Sequence, residues 1–392
     1  MQKGFAHILI IGLLVVILII VVAMGILSGL FTKLVVEVTT PNCQDPVLTT
    51  APTINNENLQ HLVPLGNISP PGHYLPTPHI YYTLKRGSDN LTLKTRIYSP
   101  ADVRVERITY IEDTRQGKLV AADYKVSMVP CKEVQIYFDH MQELAPKLAA
   151  AWKSGKPSCS ENTFGSNAVG RYCKMDVNLT LKSGEEIGNA GGAMPTGWDF
   201  GATDTRKTPL QFTNNKRYQT DQLQTICPID LFPKEIKDNL YQFFGNEYRE
   251  RTEQPICGTI MQDVPGTAQG NWFDGKGKSY ELENAQKSLS LIHDNTDPKL
   301  GVMVGGGVLG SDIYIKFLPK HSGTINREFS EIKPETQVYC YQAESLGAAP
   351  IPEQQNMSVL IKLVSEAELQ VERLSVPCDT TLMLKNPYTF IR

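Results

Sequence analysis

The chain has 392 residues, long enough for two ordinary domains, and 38 Lys+Arg against 41 Asp+Glu leave a net charge of −3. That balance offers no basic footprint, so no nucleic-acid partner is expected. A hydrophobic fraction of 41% excludes wholesale disorder.

From Phe5 to Phe31 the sequence reads FAHILIIGLLVVILIIVVAMGILSGLF, with His7 and Ser28 as its polar breaks. A helix needs about 20 such residues to cross a bilayer, whereas a cleavable signal has an apolar core of about 7–15. Residues 1–33 therefore predict an uncleaved transmembrane signal anchor, a single span in the cell membrane with the large C-terminal region outside the cytoplasm. Lys3 and Lys33 flank the span and barely orient it. Lys3-Gly4-Phe5 ahead of a long apolar helix also resembles the start of a type IV pilin precursor. That family's glutamate falls at Leu9 here, and the resemblance implies a pilin-like surface subunit processed after Gly4.

Residues 34–62 are rich in Thr, Pro and Asn and read as a linker or stalk. In 63–228 the segments NLTLKTRIYSP, VRVERITYIE, DYKVSMVP and EVQIYFDH alternate polar with apolar residues, as strands do. HMQELAPKLAAAW reads as a helix with Met141, Leu144 and Leu148 on one face, kinked or shortened at Pro146. Residues 229–255 hold a connecting helix, with Asp230 before it, Pro233 in its first turn and Gly245 to end it. From 256 to 392 come short strands: SLSLIHDN, GVMVGGG, DIYIKFLP, QVYCYQ, SVLIKLVS, ELQVERLSV and TLMLKN. Their spacing predicts a second domain, an antiparallel β-barrel or sandwich. GNWFDGKG (270–277) reads as a hairpin turn rather than a phosphate loop, and HDNTDP (293–298) as an Asx turn rather than a calcium site.

The eight cysteines are Cys43, Cys131, Cys159, Cys173, Cys227, Cys257, Cys340 and Cys378. Their even number and the absence of any CxxC pair favour disulfides in an oxidising compartment over a thiolate metal site. Cys159 and Cys173 flank a Gly/Ser/Asn loop and predict a local bridge; the other pairings stay open.

Four pieces of 63–228 fall in a telling order: GHYLPTPHIYY, RIYSPADVRVERI, EVQIYFDHM, and LTLKSGEEIGNAGG followed by GWDFGATD. From about residue 64 to 204 this order resembles the lysostaphin-like zinc endopeptidases of bacterial cell walls. The resemblance implies a duplicated-hybrid-motif β domain; the strand segments of both halves make the fold class of the whole chain mainly β. In that family zinc is held by a strand-opening histidine, an aspartate four residues later and the second histidine of H-x-H. Its open position activates a water. His79 stands at the first ligand position, Thr83 at the second and Asp199 at the third. Gly197 replaces the first histidine of H-x-H, and His140 stands at the family's catalytic Y-x-H-L histidine. His79, Asp199 and His140 are therefore the candidate metal ligands, with His140 also the candidate catalytic residue. The alternative reading gives His79 a structural role, its ring nitrogens held by backbone or by Asp199. The prolines between His73 and His79 are expected to hold His73 away.

With one ligand retained by type, the expected function is non-catalytic: a peptidase-like domain that binds envelope glycan or protein, or scaffolds another component, without a cofactor. The alternative is a zinc-dependent peptidoglycan hydrolase with altered ligands.

Overall fold

Alternation along the strands decides which residues face inward, and the computed structural model shows where those faces meet. It describes residues 40–70, 72–115, 118–164, 168–192, 197–274, 287–345 and 356–392. The expected membrane span at 5–31 lies outside the described residues. Among the described residues no helix is long and apolar enough to cross a membrane. Residues Gln44–Arg392 form one compact unit.

The first half is an open antiparallel sheet. Its strands are β1 (Leu59–Val63), β2 (His79–Leu84), β4 (Val103–Arg115), β5 (Lys118–Cys131), β6 (Val134–Met141), β8 (Ser158–Phe164), β9 (Ala168–Leu181) and β11 (Gly197–Asp204), while β3 (Thr92–Tyr98), β7 (Glu143–Leu144) and β10 (Glu186–Gly192) belong to a smaller sheet. The order across the large sheet is β1-β2-β11-β6-β5-β4-β9-β8, with the short β12 (Thr225–Ile226) added to β11. The smaller sheet runs β3-β10-β7. On the central strands Ile80, Tyr82, Ile136, Phe138, Trp198 and Phe200 turn to one face and are buried. Tyr82 stacks on Trp198 with ring centroids 4.3 Å apart, and Phe138 meets Phe200 edge-on at 4.8 Å. Burying such side chains contributes about 1.5–3 kcal/mol each.

Pro146 does not kink a helix that spans it; it starts one. Helix α1 is Pro146–Ser154, and Met141 and Leu144 belong to strands instead. A proline in the first turn gives up an N–H that has no intrahelical partner there, so the helix begins where the ring fits. Helix α2 (Thr220–Leu223) is a single turn, and α3 (Lys234–Tyr241) is the expected connecting helix, with Pro233 at its N-cap.

After the hairpin β13 (Gly245–Asn246) and β14 (Arg249–Glu250), the second half is an eight-stranded meander. It comprises β15 (Gly270–Asp274), β16 (Ser288–His293), β17 (Gly301–Gly305), β18 (Ile313–Phe317), β19 (Tyr339–Tyr341), β20 (Ser358–Ser365), β21 (Glu368–Leu374) and β22 (Tyr388–Ile391). First and last strands pair, giving the order β18-β17-β16-β15-β22-β21-β20-β19 and a nearly closed β-barrel. All eight strands send side chains into one buried core, among them Trp272, Leu291, Met303, Phe317, Tyr341, Ile361, Val371 and Phe390. TLMLKN is not a strand: the Glu372 carboxylate accepts the N–H groups of Lys385 and Asn386 and bends the chain there, and the last strand forms at Tyr388–Ile391.

All eight cysteines are oxidised, as an extracytoplasmic compartment favours. Cys159–Cys173 is the expected local bridge, joining directly opposed residues of β8 and β9. Cys227–Cys257 and Cys340–Cys378 are two more.

Candidate functional site

The three candidate residues meet on the polar face of the large sheet. Strand β11 lies between β2 and β6, with Gly201 opposite both His79 and Tyr137, and Asp199 opposite both Tyr81 and Asp139. Paired residues share a face, so the odd-numbered side chains of all three strands stand together, away from the Phe138–Phe200 core. A Cβ at Gly201 would overlap the Tyr137 ring, which explains a glycine in mid-strand there.

Asp199 is 3% exposed and lies between two imidazoles. Its Oδ2 is 3.1 Å from His79 Nε2 and 3.5 Å from His140 Nε2. His140 follows Asp139 and in regular strand geometry would turn with Phe138 into the core. Its φ of 62° instead swings the ring onto the polar face. There His140 Nδ1 is 2.7 Å from Asp123 Oδ2, and its backbone N–H donates to Asp139 Oδ1 at 2.9 Å. Lys125 Nζ is 3.3 Å from Asp139 Oδ2 and sits 3.7 Å from the centre of the Tyr137 ring.

The two imidazoles differ in charge. Burial holds His79 well below the usual histidine range, with His73, Lys125 and His140 adding in the same direction, so its ring is neutral. Its Nδ1 is hydrogen-bonded to the Tyr137 hydroxyl at 3.1 Å. Its Nε2, close to Asp199 as it is, has no aligned hydrogen-bond partner. Burial also opposes charge on His140, but the Asp123 hydrogen bond and the charges of Asp199 and Asp139 outweigh it and raise the group to about 10. Asp199 is pushed up to about 7, chiefly by burial. His73 is not held away by its prolines: its ring stands edge-on 5.9 Å from His79, and burial, with the His140 charge, lowers it to about 4.

The zinc ligand set implied by the endopeptidase resemblance does not fit these residues. His79 and Thr83 lie on one unbroken strand, so four residues separate them by about 13 Å. Thr83 pairs with Gly197, and a Cβ at Gly197 would overlap the carbonyl oxygen of Tyr82, so no histidine fits there on this backbone. The cysteines offer no thiolate. Clefts of about 170 Å³ beside His293 and Lys316, and about 320 Å³ beside His61 and Arg86, are lined by none of the cluster residues.

Sequence reasoning picked out His79, Asp199 and His140 and missed Asp123, Asp139, Lys125 and Tyr137. Two of these were within reach: Tyr137 and Asp139 share the parity of Asp199 once β6 and β11 are in register. Asp123 and Lys125 were not, because a bulge between Tyr124 and Val126 resets the alternation of β5 against β6. HDNTDP is the expected Asx turn, with Asp294 Oδ1 accepting from the backbone of Thr296 and Asp297. No family model, curated protein or solved structure matches the chain.

Proposed function

We propose that the protein is an envelope component, held in the cell membrane by residues 5–31, whose peptidase-like half binds envelope glycan or protein, or scaffolds another component, and does not cleave. The observation that carries this reading is the pair of positions opposite one another on β2 and β11. Thr83 is out of reach of His79, and Gly197 has no room for a side chain. A hydrolase of the resembling type needs a metal ligand at the first of these positions and the non-ligand histidine of H-x-H at the second. The oxidised cysteines support a location outside the cytoplasm.

The test uses the full-length chain in detergent, incubated with cell-envelope fractions and with isolated peptidoglycan. The expected result is co-sedimentation with an envelope fraction and no release of peptides. Chelator-sensitive cleavage of cross-linked peptides would overturn it in favour of the hydrolase; failure to bind any envelope fraction would remove the binding reading.

A further inference from the structure

The second imidazole of the cluster has a donor set of its own. A ring nitrogen of His140 and one carboxylate oxygen each of Asp123 and Asp139 lie within 4.8 Å of one another. We infer that these three side chains bind one divalent transition-metal ion of the zinc or manganese class, a donor set that shares His140 with the candidates drawn from sequence resemblance but uses neither His79 nor Asp199. One imidazole with two carboxylates suits such ions better than magnesium or calcium, and three protein donors leave positions for water.

An observation outside the donor spacing points the same way. Asp123 is 6% exposed, yet its Oδ1 has no hydrogen-bond partner. A buried carboxylate oxygen is normally satisfied, and one left bare on a residue of this cluster is an acceptor for a cation. The surroundings are those of a metal-binding histidine. With Nδ1 turned to the ion, Nε2–H faces Asp199 Oδ2 at 3.5 Å, and a carboxylate on the far nitrogen orients and strengthens such a ligand. The His140 side chain is 39% exposed, which gives an ion a path from solvent.

Lys125 is the competing cation. Its Nζ holds Asp139 Oδ2 at 3.3 Å, and it also lies over the Tyr137 ring, where it can remain when Asp139 turns to an ion. The site therefore predicts a gain as well as losses: removing the Lys125 charge favours the metal.

The experiment uses the full-length chain in detergent, purified without an affinity histidine tag, stripped with chelator and desalted. Zn²⁺ and Mn²⁺ are titrated separately by calorimetry, and bound metal is counted by elemental analysis after gel filtration. The expected result is one ion per chain, with affinity reduced at least about tenfold in Asp123→Asn and in Asp139→Asn. His79→Ala keeps one ion, and Lys125→Met binds severalfold more tightly, a readout that a misfolded variant does not give. No bound ion, unchanged affinity in both Asn variants, or loss of the ion only in His79→Ala would overturn the assignment. None of these outcomes depends on envelope binding, so the two readings fail separately.

Discussion

Asp199 is held between two imidazoles that the fold has driven in opposite directions. His79, buried against His73 and Lys125, is neutral; His140, hydrogen-bonded to Asp123 and surrounded by carboxylates, is charged. The consequence for stability follows from proton counting. His140 titrates near 6.5 when unfolded and at about 10 when folded, so its contribution is complete below pH 6.5 and is lost as pH rises through 10. Asp199, raised from 3.8 to about 7, loses its contribution between those values. His73, lowered to about 4, works the other way between pH 4 and 6.5. The acidic side is thus a contest, while above pH 7 the loss at His140 is joined by a loss of the same sign at His293, which burial opposes but its hydrogen bond to Glu328 raises. With chelator present, the thermal midpoint should fall from pH 7 to pH 10, and His140→Gln should flatten that fall. A variant with the wild-type slope would show that His140 is not charged in the folded protein.

At the scale of the strand and the bridge, the sequence was legible wherever alternation alone decides. EVQIYFDH became β6 because it sends every second residue into the core. It was less legible where a neighbour intervenes. Pro146 starts α1 because the residues before it are claimed by β6 and β7, and TLMLKN is bent by Glu372, a residue of another strand. Disulfide pairing beyond Cys159–Cys173 was also closed to sequence. Cys227–Cys257 joins the segment leading into α3 to the backbone partner of Leu65, whose N–H donates to the Cys257 carbonyl at 2.9 Å. The bridge closes a loop of 30 residues, and replacing both cysteines with serine should cost about 3–4 kcal/mol by the chain-entropy relation. Denaturant titration of the double variant measures it; an unchanged midpoint would mean that the unfolded chain is already constrained there.

Across the whole molecule, the decisive surface is the outer face of β16 and β17. A barrel strand ordinarily turns polar residues outward, yet Ile292, Val302 and Val304 are buried on that face. They are covered by Tyr74 and Ile68 from the segment between β1 and β2. Hydrogen bonds seal the join. The Tyr74 hydroxyl donates to Asp312 Oδ1 at 2.7 Å, Ser290 Oγ donates to the Tyr74 carbonyl at 2.8 Å, and Asn295 Nδ2 donates to the Pro64 carbonyl at 2.8 Å. The segment that brings His73 to the histidine cluster thus also forms part of the barrel's cover. Contacts of this kind, apolar at the centre and hydrogen-bonded around it, couple the unfolding of the two halves. Trp198 reports on the sheet and Trp272 on the barrel, so variants that retain only one of these two and replace Trp152 as well give a separate signal from each half. Their denaturation midpoints should coincide. Tyr74→Ala removes a buried aromatic and should lower both together, by about 3–5 kcal/mol. If only the Trp272 signal moves, the sheet stands without the barrel, and the cover over β16 and β17 serves the barrel alone.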